Sequence, residues 1–406
     1  MKRKIFILVA LVILSLVWAV SVSAQSNVPD SYSALYQNLE SQLVKFDQKL
    51  NAMKPASAKP ISFSGELMTA NSHMQDRLLT PDNWNTTLFM LDRLQDLGME
   101  TVRISVEYPV FWPANPRYAE HLKFYRDLVS EIRRRGMKVA IHSNVLFNNP
   151  EWNASCGAEP CPPIDYSQLT YNNFKSIKRQ MAQIIIRELG PDYLTIANEP
   201  TTLYGITGRP EFLDPVKYRE LVNYVLFGLD RKNTSVGAGA GNWENLRYIY
   251  EIASRTSVDF IDLHVYPVNL DLLNRLVNAV DIARLYHKRI ILGEVGLQKI
   301  GDDELGEGGV ATSPVIFSRD AFSFWAPLDS LFLAEMAKLS RIKGIELIAP
   351  FFTRHFFGYV EYSESTGKLS AADLMCLDGI TSGAAMMNGL TSSYGEAYSA
   401  LKSIYP

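Results

Sequence analysis

The sequence is short of cysteine. Three thiols, Cys156, Cys161 and Cys376, occur in 406 residues. Cys156 and Cys161 bracket GAEP in a proline-rich stretch, where a small disulfide clip is open to an exported chain. No histidine or further cysteine stands close to them in sequence, which argues against a zinc site. Cys376 falls in the apolar phase of AADLMCL and reads as a buried thiol. There is no excess of charge either. Charged residues are 20% and the net charge is -3, so there is no basic surplus to attract nucleic acid. Neither GxGxxG nor GxxxxGK[ST] occurs, and with them goes the usual phosphate-cradling loop. Neither GxSxG nor HExxH occurs, which counts against the common serine and zinc hydrolases. Beyond one run at the N-terminus, no segment has the sustained apolar length of a membrane span.

That run has the order of an export signal. Lys2, Arg3 and Lys4 precede the apolar stretch IFILVALVILSLVWAV, and Val22-Ser23-Ala24 places small residues before Gln25. The expectation is a cleaved signal at 1–24 and a secreted or periplasmic product with no membrane span. The alternative is an uncleaved N-terminal anchor. Residues 30–53 repeat apolar positions at three- and four-residue spacing (Leu35, Leu39, Leu43, Phe46), which predicts an N-terminal helix. PASAKP at 55–60 breaks it, so 25–59 reads as helix plus linker and 60–406 as the main domain.

From residue 61 on, strand and helix patterns alternate. Strands are predicted at 61–67, 101–106, 138–143, 193–198, 235–240, 259–265, 289–294 and 344–349. The clearest helical patterns are 84–97, 118–135, 168–189, 216–229, 243–254, 270–286 and 329–341, and 393–404 offers a further helix to close the series. Eight strand–helix units predict an α/β fold of the (β/α)8 barrel type. The rival, an open doubly wound sheet, has fewer strands and commonly carries the glycine-rich loop missing here. The connections 144–167, 199–215, 295–328 and 350–390 are long and read as irregular loops. In a barrel all would lie at the C-terminal face of the strands, where active sites are built.

Polar residues collect where those strands end. Strand one offers Glu66; strand two Arg103, Glu107 and Tyr108; strand three His142 and Asn144; strand four Asn198 and Glu199. Strand five leads to Asn242 and Trp243, strand six carries Asp262, His264 and Tyr266 in one phase, and strand seven ends on Glu294. A barrel gathers these dispersed residues into one cleft. Two carboxyl groups facing each other suit glycosidic bond cleavage, in which one protonates the leaving oxygen and the other attacks or supports the anomeric carbon. Glu199 is the expected acid/base and Glu294 the expected nucleophile, ionised with help from Arg103 and a hydroxyl such as Tyr266. Asn198 is expected on the sugar hydroxyl beside the reacting carbon, and His142 and His264 on substrate or on a carboxylate. Arg103, between apolar residues, needs an acidic partner, with Glu294 and Asp262 as candidates. Sugar rings stack on flat side chains. Tyr108, Phe111, Trp112, Trp152, Tyr204, Trp243 and Trp325 are within reach of strand ends, and Trp243 and Trp112 lie nearest to them.

These residues, in this order, resemble the clan of retaining glycoside hydrolases built on a (β/α)8 barrel (clan A). The element ANEP at 197–200 is similar to the acid/base element after strand four. LGEVG at 292–296 resembles the nucleophile element at the end of strand seven, Arg103 the strand-two arginine, and His264-Val265-Tyr266 the His-x-Tyr element of strand six. The closest group in appearance is the cellulase and mannanase family (family 5-like). Two positions depart from its pattern. Thr195 stands where an acidic residue, asparagine or glycine is frequent, and Phe351, Phe352 and Phe356 occupy the region of a sugar-stacking tryptophan. The resemblance implies a retaining β-glycosidase that needs no cofactor and no metal and acts on β-glucan, mannan or a related oligosaccharide. The alternative is a carbohydrate-binding barrel without catalysis.

Overall fold

The computed structural model describes residues 28–54, 60–147, 164–266, 268–305 and 314–405. The signal segment, Trp152, Cys156 and Cys161 lie outside the described residues. Eight parallel strands close into a barrel in sequence order. They are β1 (Ser62–Glu66), β2 (Thr101–Ser105), β3 (Lys138–His142), β4 (Tyr193–Thr195), β5 (Ser235–Gly241), β6 (Phe260–Val265), β7 (Arg289–Val295) and β8 (Leu347–Pro350). β8 pairs with β1 through Ser62–Leu347 and Phe63–Ile348, which closes the ring.

Twelve α-helices are described: α1 (Asp30–Asn51), α2 (Pro81–Asp96), α3 (Tyr118–Arg134), α4 (Tyr171–Glu188), α5 (Pro200–Thr207), α6 (Pro215–Leu226), α7 (Leu246–Arg255), α8 (Leu270–Leu285), α9 (Pro314–Ser318), α10 (Ala326–Lys343), α11 (Ala371–Met387) and α12 (Ser393–Ile404). Their starts are written in the sequence. Thr80, Thr170, Asp214, Asn269, Ser370 and Ser392 each accept a backbone N–H of the first turn, and proline opens α2 and α6. The N-terminal helix is part of the barrel's core. Tyr36, Leu39, Leu43, Phe46 and Leu50 are buried against α10 and α8, with Tyr36 stacked on Trp325 at 5.6 Å. Truncating Leu43 to alanine there should cost about 2–5 kcal/mol.

Alternation along the strands divides the interior in two. Ile290 and Leu292 of β7 and Ile261 and Leu263 of β6 join the large core shared with the helices. Phe260, Ile291 and Leu347 point the other way and fill the barrel's lower interior. The glycines of β5 make room for them. A Cβ on Gly237 would meet the Phe260 ring at 2.2 Å, and one on Gly239 the Asp262 carbonyl oxygen at 1.5 Å.

Two expectations are corrected. The stretches 199–215, 295–328 and 350–390 are not wholly irregular, since they contain α5, α9 and α11. The pattern of α11 hid it. Its buried residues include Asp378 and Ser382, while Ile380 and Met387 are exposed, so apolar residues run around the helix and no single face stands out. Cys376, read as a buried thiol, is only partly buried and is disulfide-bonded. The long segment after β7 is tied down by Lys299, which is fully buried between Asp320 and Asp329. Among the described residues no helix is long and apolar enough to cross a membrane.

Candidate active site

The strand-end residues converge at the C-terminal mouth of the barrel. Glu294 reaches it through a break in strand pairing. Asp262 and Leu263 pair with Ile291 and Leu292, but His264 pairs with Glu294, leaving Gly293 as an extra residue in β7. Strict alternation from outward-facing Leu292 would turn Glu294 outward too. The bulge resets the phase and aims its carboxylate into the barrel. Gly293 is required at this point by space. A Cβ there would stand 2.0 Å from an Asp262 carboxylate oxygen.

Glu294 is held from two sides. Arg103 Nη2 lies 2.5 Å from its Oε1, and the Tyr266 hydroxyl donates to its Oε2 at 2.5 Å. His264 Nδ1 stands 3.4 Å from Oε2 and His142 Nδ1 3.8 Å from Oε1. Burial alone would push its carboxyl up. The positive charge of Arg103, then His264, and the Tyr266 hydroxyl outweigh this and hold it at about 2. Arg103 is itself buried, and its Nη1 donates to Glu66 Oε2 at 2.9 Å. Its partners are therefore Glu294, as expected, and Glu66 in place of Asp262. Burial, partly offset by Arg103, raises Glu66 to about 7.

Glu199 sits across the mouth. It caps α5 from a left-handed backbone conformation, with φ 46° and ψ 67°. Such a conformation costs a non-glycine residue about 1–3 kcal/mol and persists only where surroundings enforce it. Its Oε1 is 2.6 Å from His264 Nδ1. One oxygen of Glu199 and one of Glu294 lie within 4.8 Å of each other, with a His264 nitrogen in the same group. These three could be offered to a metal ion by distance alone. The cationic Arg103 held against Glu294 makes them a poor ligand set.

His264 is the hub. Burial lowers the basicity of an imidazole, but Glu294, Asp262 and Glu199 surround it and raise it to about 10. It is therefore an imidazolium at neutral pH, set between Asp262 and Glu294 and hydrogen-bonded to Glu199. Asp262, at 3.6 Å from its Nε2, also accepts from the Thr195 hydroxyl at 2.6 Å. Burial would raise Asp262, and His264 and Arg103 together keep it low. This gives Thr195 a function at the position where it departs from the family pattern. His142 is driven the other way, to about 3, by burial and by Arg103, and stays neutral.

Asn198 is enclosed by His142 Nε2 at 2.9 Å, Asn144 at 3.0 Å and His264 Nε2 at 3.0 Å. An imidazolium donates from both nitrogens, so the Asn198 carbonyl oxygen belongs on the His264 side and its NH2 on the side of His142 and Asn144. Turning Asn144 over as well gives its Oδ1, otherwise without a partner, the Asn198 N–H.

The aromatics divide. Trp112 is half-buried and meets Tyr108 edge-on at 6.3 Å, leaving part of its face open. Tyr204 is exposed. Trp243 was expected as a sugar platform, but it is 3% exposed. Its ring covers Gly241, lies 6.0 Å from Tyr266, and its indole N–H donates to Thr201 at 3.3 Å, so it is a wall behind the cleft. Trp325 and Phe111 are fully buried. Phe351 packs edge-on against Tyr266 at 5.6 Å in the region of the missing tryptophan. Sequence reasoning overlooked two residues near the mouth. His73 lies 3.3 Å from buried Glu107 and stacks on Phe147 at 4.9 Å, and Glu244 accepts from Thr201. His73 sits in a short 3-10 stretch without a motif, so only the folded chain brings it to the site.

No protein-family model matches the chain, and no curated protein sequence matches it. Its fold is shared with solved structures. An exo-beta-1,4-mannosidase, Op5Man5 from Opitutaceae bacterium strain TAV5, superposes with a TM-score of 0.54 at 15% identity over 87% of this chain. The match spans 61% of that protein's length. A GH1 beta-glucosidase from Exiguobacterium antarcticum B7 superposes with a TM-score of 0.51 at 11% identity, over 87% of this chain and 99% of that one. The fold is thus the (β/α)8 barrel found in clan A glycoside hydrolases.

Proposed function

We propose that this chain is a retaining β-glycosidase that hydrolyses β-linked oligo- or polysaccharides by double displacement. The observation that carries the reading is the approach of the two carboxyl groups, with oxygens within 4.8 Å. It favours the retaining separation of about 5–5.5 Å over the roughly 6.5–9.5 Å that leaves room for water in inverting enzymes. Glu294 attacks the anomeric carbon as the carboxylate that Arg103 and Tyr266 maintain. Glu199 delivers its proton to the departing glycosidic oxygen. In the second step Glu199 takes a proton from water, which attacks the same carbon and expels Glu294. Asn198, expected on the sugar, is instead enclosed by His142, Asn144 and His264 and braces the His264 ring beside Glu199. Trp112 and Tyr204 offer faces for neighbouring sugars. Neither step requires a metal or cofactor.

The long segments after β7 and β8 support a pocket or short cleft. The activity named for Op5Man5, together with the β7 and His-x-Tyr elements, makes β-mannosides and β-glucosides the first substrates to test. The N-terminal signal pattern supports action outside the cytoplasm. The test is a screen over β-glucan, mannan, xylan, galactan and aryl β-glycosides, with proton NMR of the first-formed product. Retained anomeric configuration is expected. Glu294→Ala should lose nearly all turnover, and azide should restore part of it with a glycosyl azide of inverted configuration. A first product of inverted configuration removes the covalent step. Substrate binding without turnover leaves a carbohydrate-binding barrel.

A further inference from the structure

The glycosidase reading leaves one buried acid near Glu199 without a task. Glu244 follows the end of β5, in the turn that leads to α7, and is 3% exposed. A carboxyl group taken out of water needs donors. Glu244 obtains them from a single residue. Its Oε1 accepts the backbone N–H of Thr201 at 3.0 Å and the Thr201 hydroxyl at 2.8 Å, while its Oε2 has no hydrogen-bond partner.

Thr201 is the second residue of α5, and Glu199 is that helix's N-cap. An N-cap side chain normally accepts the N–H two or three residues on. The Glu199 side chain makes no such bond, because it is turned to His264. Pro200 has no N–H to satisfy. Glu244 thus supplies from the turn after β5 the cap that Glu199 does not supply itself. The clamp is braced. The Trp243 indole N–H donates to the same Thr201 hydroxyl at 3.3 Å, and Arg275 of α8 holds the Trp243 carbonyl at 2.7 Å. Between this clamp and β4 lies the left-handed backbone of Glu199.

We propose that Glu244 is a positioning residue for the acid/base step: by capping α5 at Thr201 it keeps the Glu199 backbone left-handed and its carboxyl against His264. The inference rests on the role of Glu199 given above. Released from the clamp, Glu199 has two gains available, relief of its backbone strain and capping of its own helix with its own carboxylate. Both draw it away from the leaving oxygen. Displacement by about 1 Å costs roughly 100-fold in rate.

The test compares Glu244→Ala, Glu244→Gln and Glu244→Asp with wild type in two readouts. The first needs no turnover. It is the downfield proton signal of His264 Nδ1–H, which reports the 2.6 Å bond to Glu199. The second is the glycosylation rate for aryl glycosides of graded leaving-group acidity. Glutamine keeps the accepting oxygen, so Glu244→Gln should retain the signal and stay within about threefold of wild type. Glu244→Ala should lose the signal and about 30- to 100-fold in kcat on poor leaving groups, with KM little changed and activated phenols spared. Glu244→Asp keeps a carboxyl but is one methylene short of Thr201. It should follow Glu244→Ala, and it replaces that variant if alanine prevents folding. A folded Ala or Asp variant with the His264 signal intact and wild-type leaving-group dependence overturns the proposal. Glutamine as harmful as alanine also overturns it, since charge would then matter and the cap would not. If wild type turns over no glycoside, the functional reading fails, and the His264 signal alone decides the positioning claim.

Discussion

Replacing Gly293 with alanine adds one methyl group at the place where β7 changes phase. That methyl would stand 2.0 Å from Asp262 Oδ1, 2.6 Å from its Cγ and 2.7 Å from its Oδ2. Real Cβ atoms essentially never approach closer than 3.0 Å, so something must move by about 1 Å. The Asp262 carboxylate has little freedom, because Thr195 holds it at 2.6 Å and His264 faces it at 3.6 Å. Either Asp262 gives up these partners or β7 retreats and carries Glu294 with it. Overpacking of this kind costs about 1–3 kcal/mol of stability. An ångström of misplacement at the nucleophile costs about 100-fold in kcat. The assay is kcat on an aryl β-glycoside beside thermal unfolding of the same preparation. The reasoning predicts that the rate falls far more than the folded fraction does. A Gly293→Ala protein that melts within a degree of wild type and turns over within about twofold of it would refute the view that the bulge and its missing side chain place Glu294.

Glu199→Ala should slow glycosylation most for poorly acidic leaving groups and let a covalent intermediate accumulate with an activated phenol, seen as a pre-steady-state burst; equal losses across leaving groups would count against Glu199 as the acid. Arg103→Met removes the cation between two buried carboxylates and should cost about 3–5 kcal/mol by denaturant unfolding, with Glu66→Gln recovering part of the loss in the double variant. His264 carries a pH signature. Its folded value is raised to about 10 from the usual 6.5, so its stabilisation is full below 6.5 and is lost as pH rises through 10. Glu294 is lowered from 4.5 to about 2, so its share is present above 4.5 and is lost as pH falls through 2. The difference in melting temperature between wild type and His264→Asn should therefore narrow between pH 6.5 and 10; a difference independent of pH would show that His264 is not an imidazolium.

Much of the fold was legible because it rests on local physics. Strand alternation and helical spacing depend on near neighbours, and capping residues such as Thr80, Asp214 and Asn269 announce their helices directly. Eight such units leave little choice but a closed parallel ring. The helix α11 escaped because its apolar residues have no favoured side, and its buried Asp378 serves Arg354 and His355 across a tertiary contact. Of the proposed site, Arg103, His142, Asn198, Glu199, His264, Tyr266 and Glu294 were nameable because each stands at or beside a strand end.

Their relations were not. Sequence places Glu294 after Gly293, and strict alternation would turn it to the helices. Only pairing with β6 inserts the extra residue that brings it opposite His264. Sequence offered Asp262 as a partner for Arg103, and the folded chain gave that place to Glu66, because β1 runs beside β2 with Glu66 in register with Arg103. Trp243 looked like an open aromatic, and the small Gly241 and neighbouring Tyr266 drew it into the wall. The charge of His264 depends on Asp262 of β6 and Glu294 of β7 and on a hydrogen bond to Glu199 beyond β4, an electrostatic sum over residues far apart in the chain. The sequence by itself determined which groups are present and where along each strand they stand. Their phase, partners and protonation were decided by the closed barrel, since those depend on distances that exist only once the strands are paired.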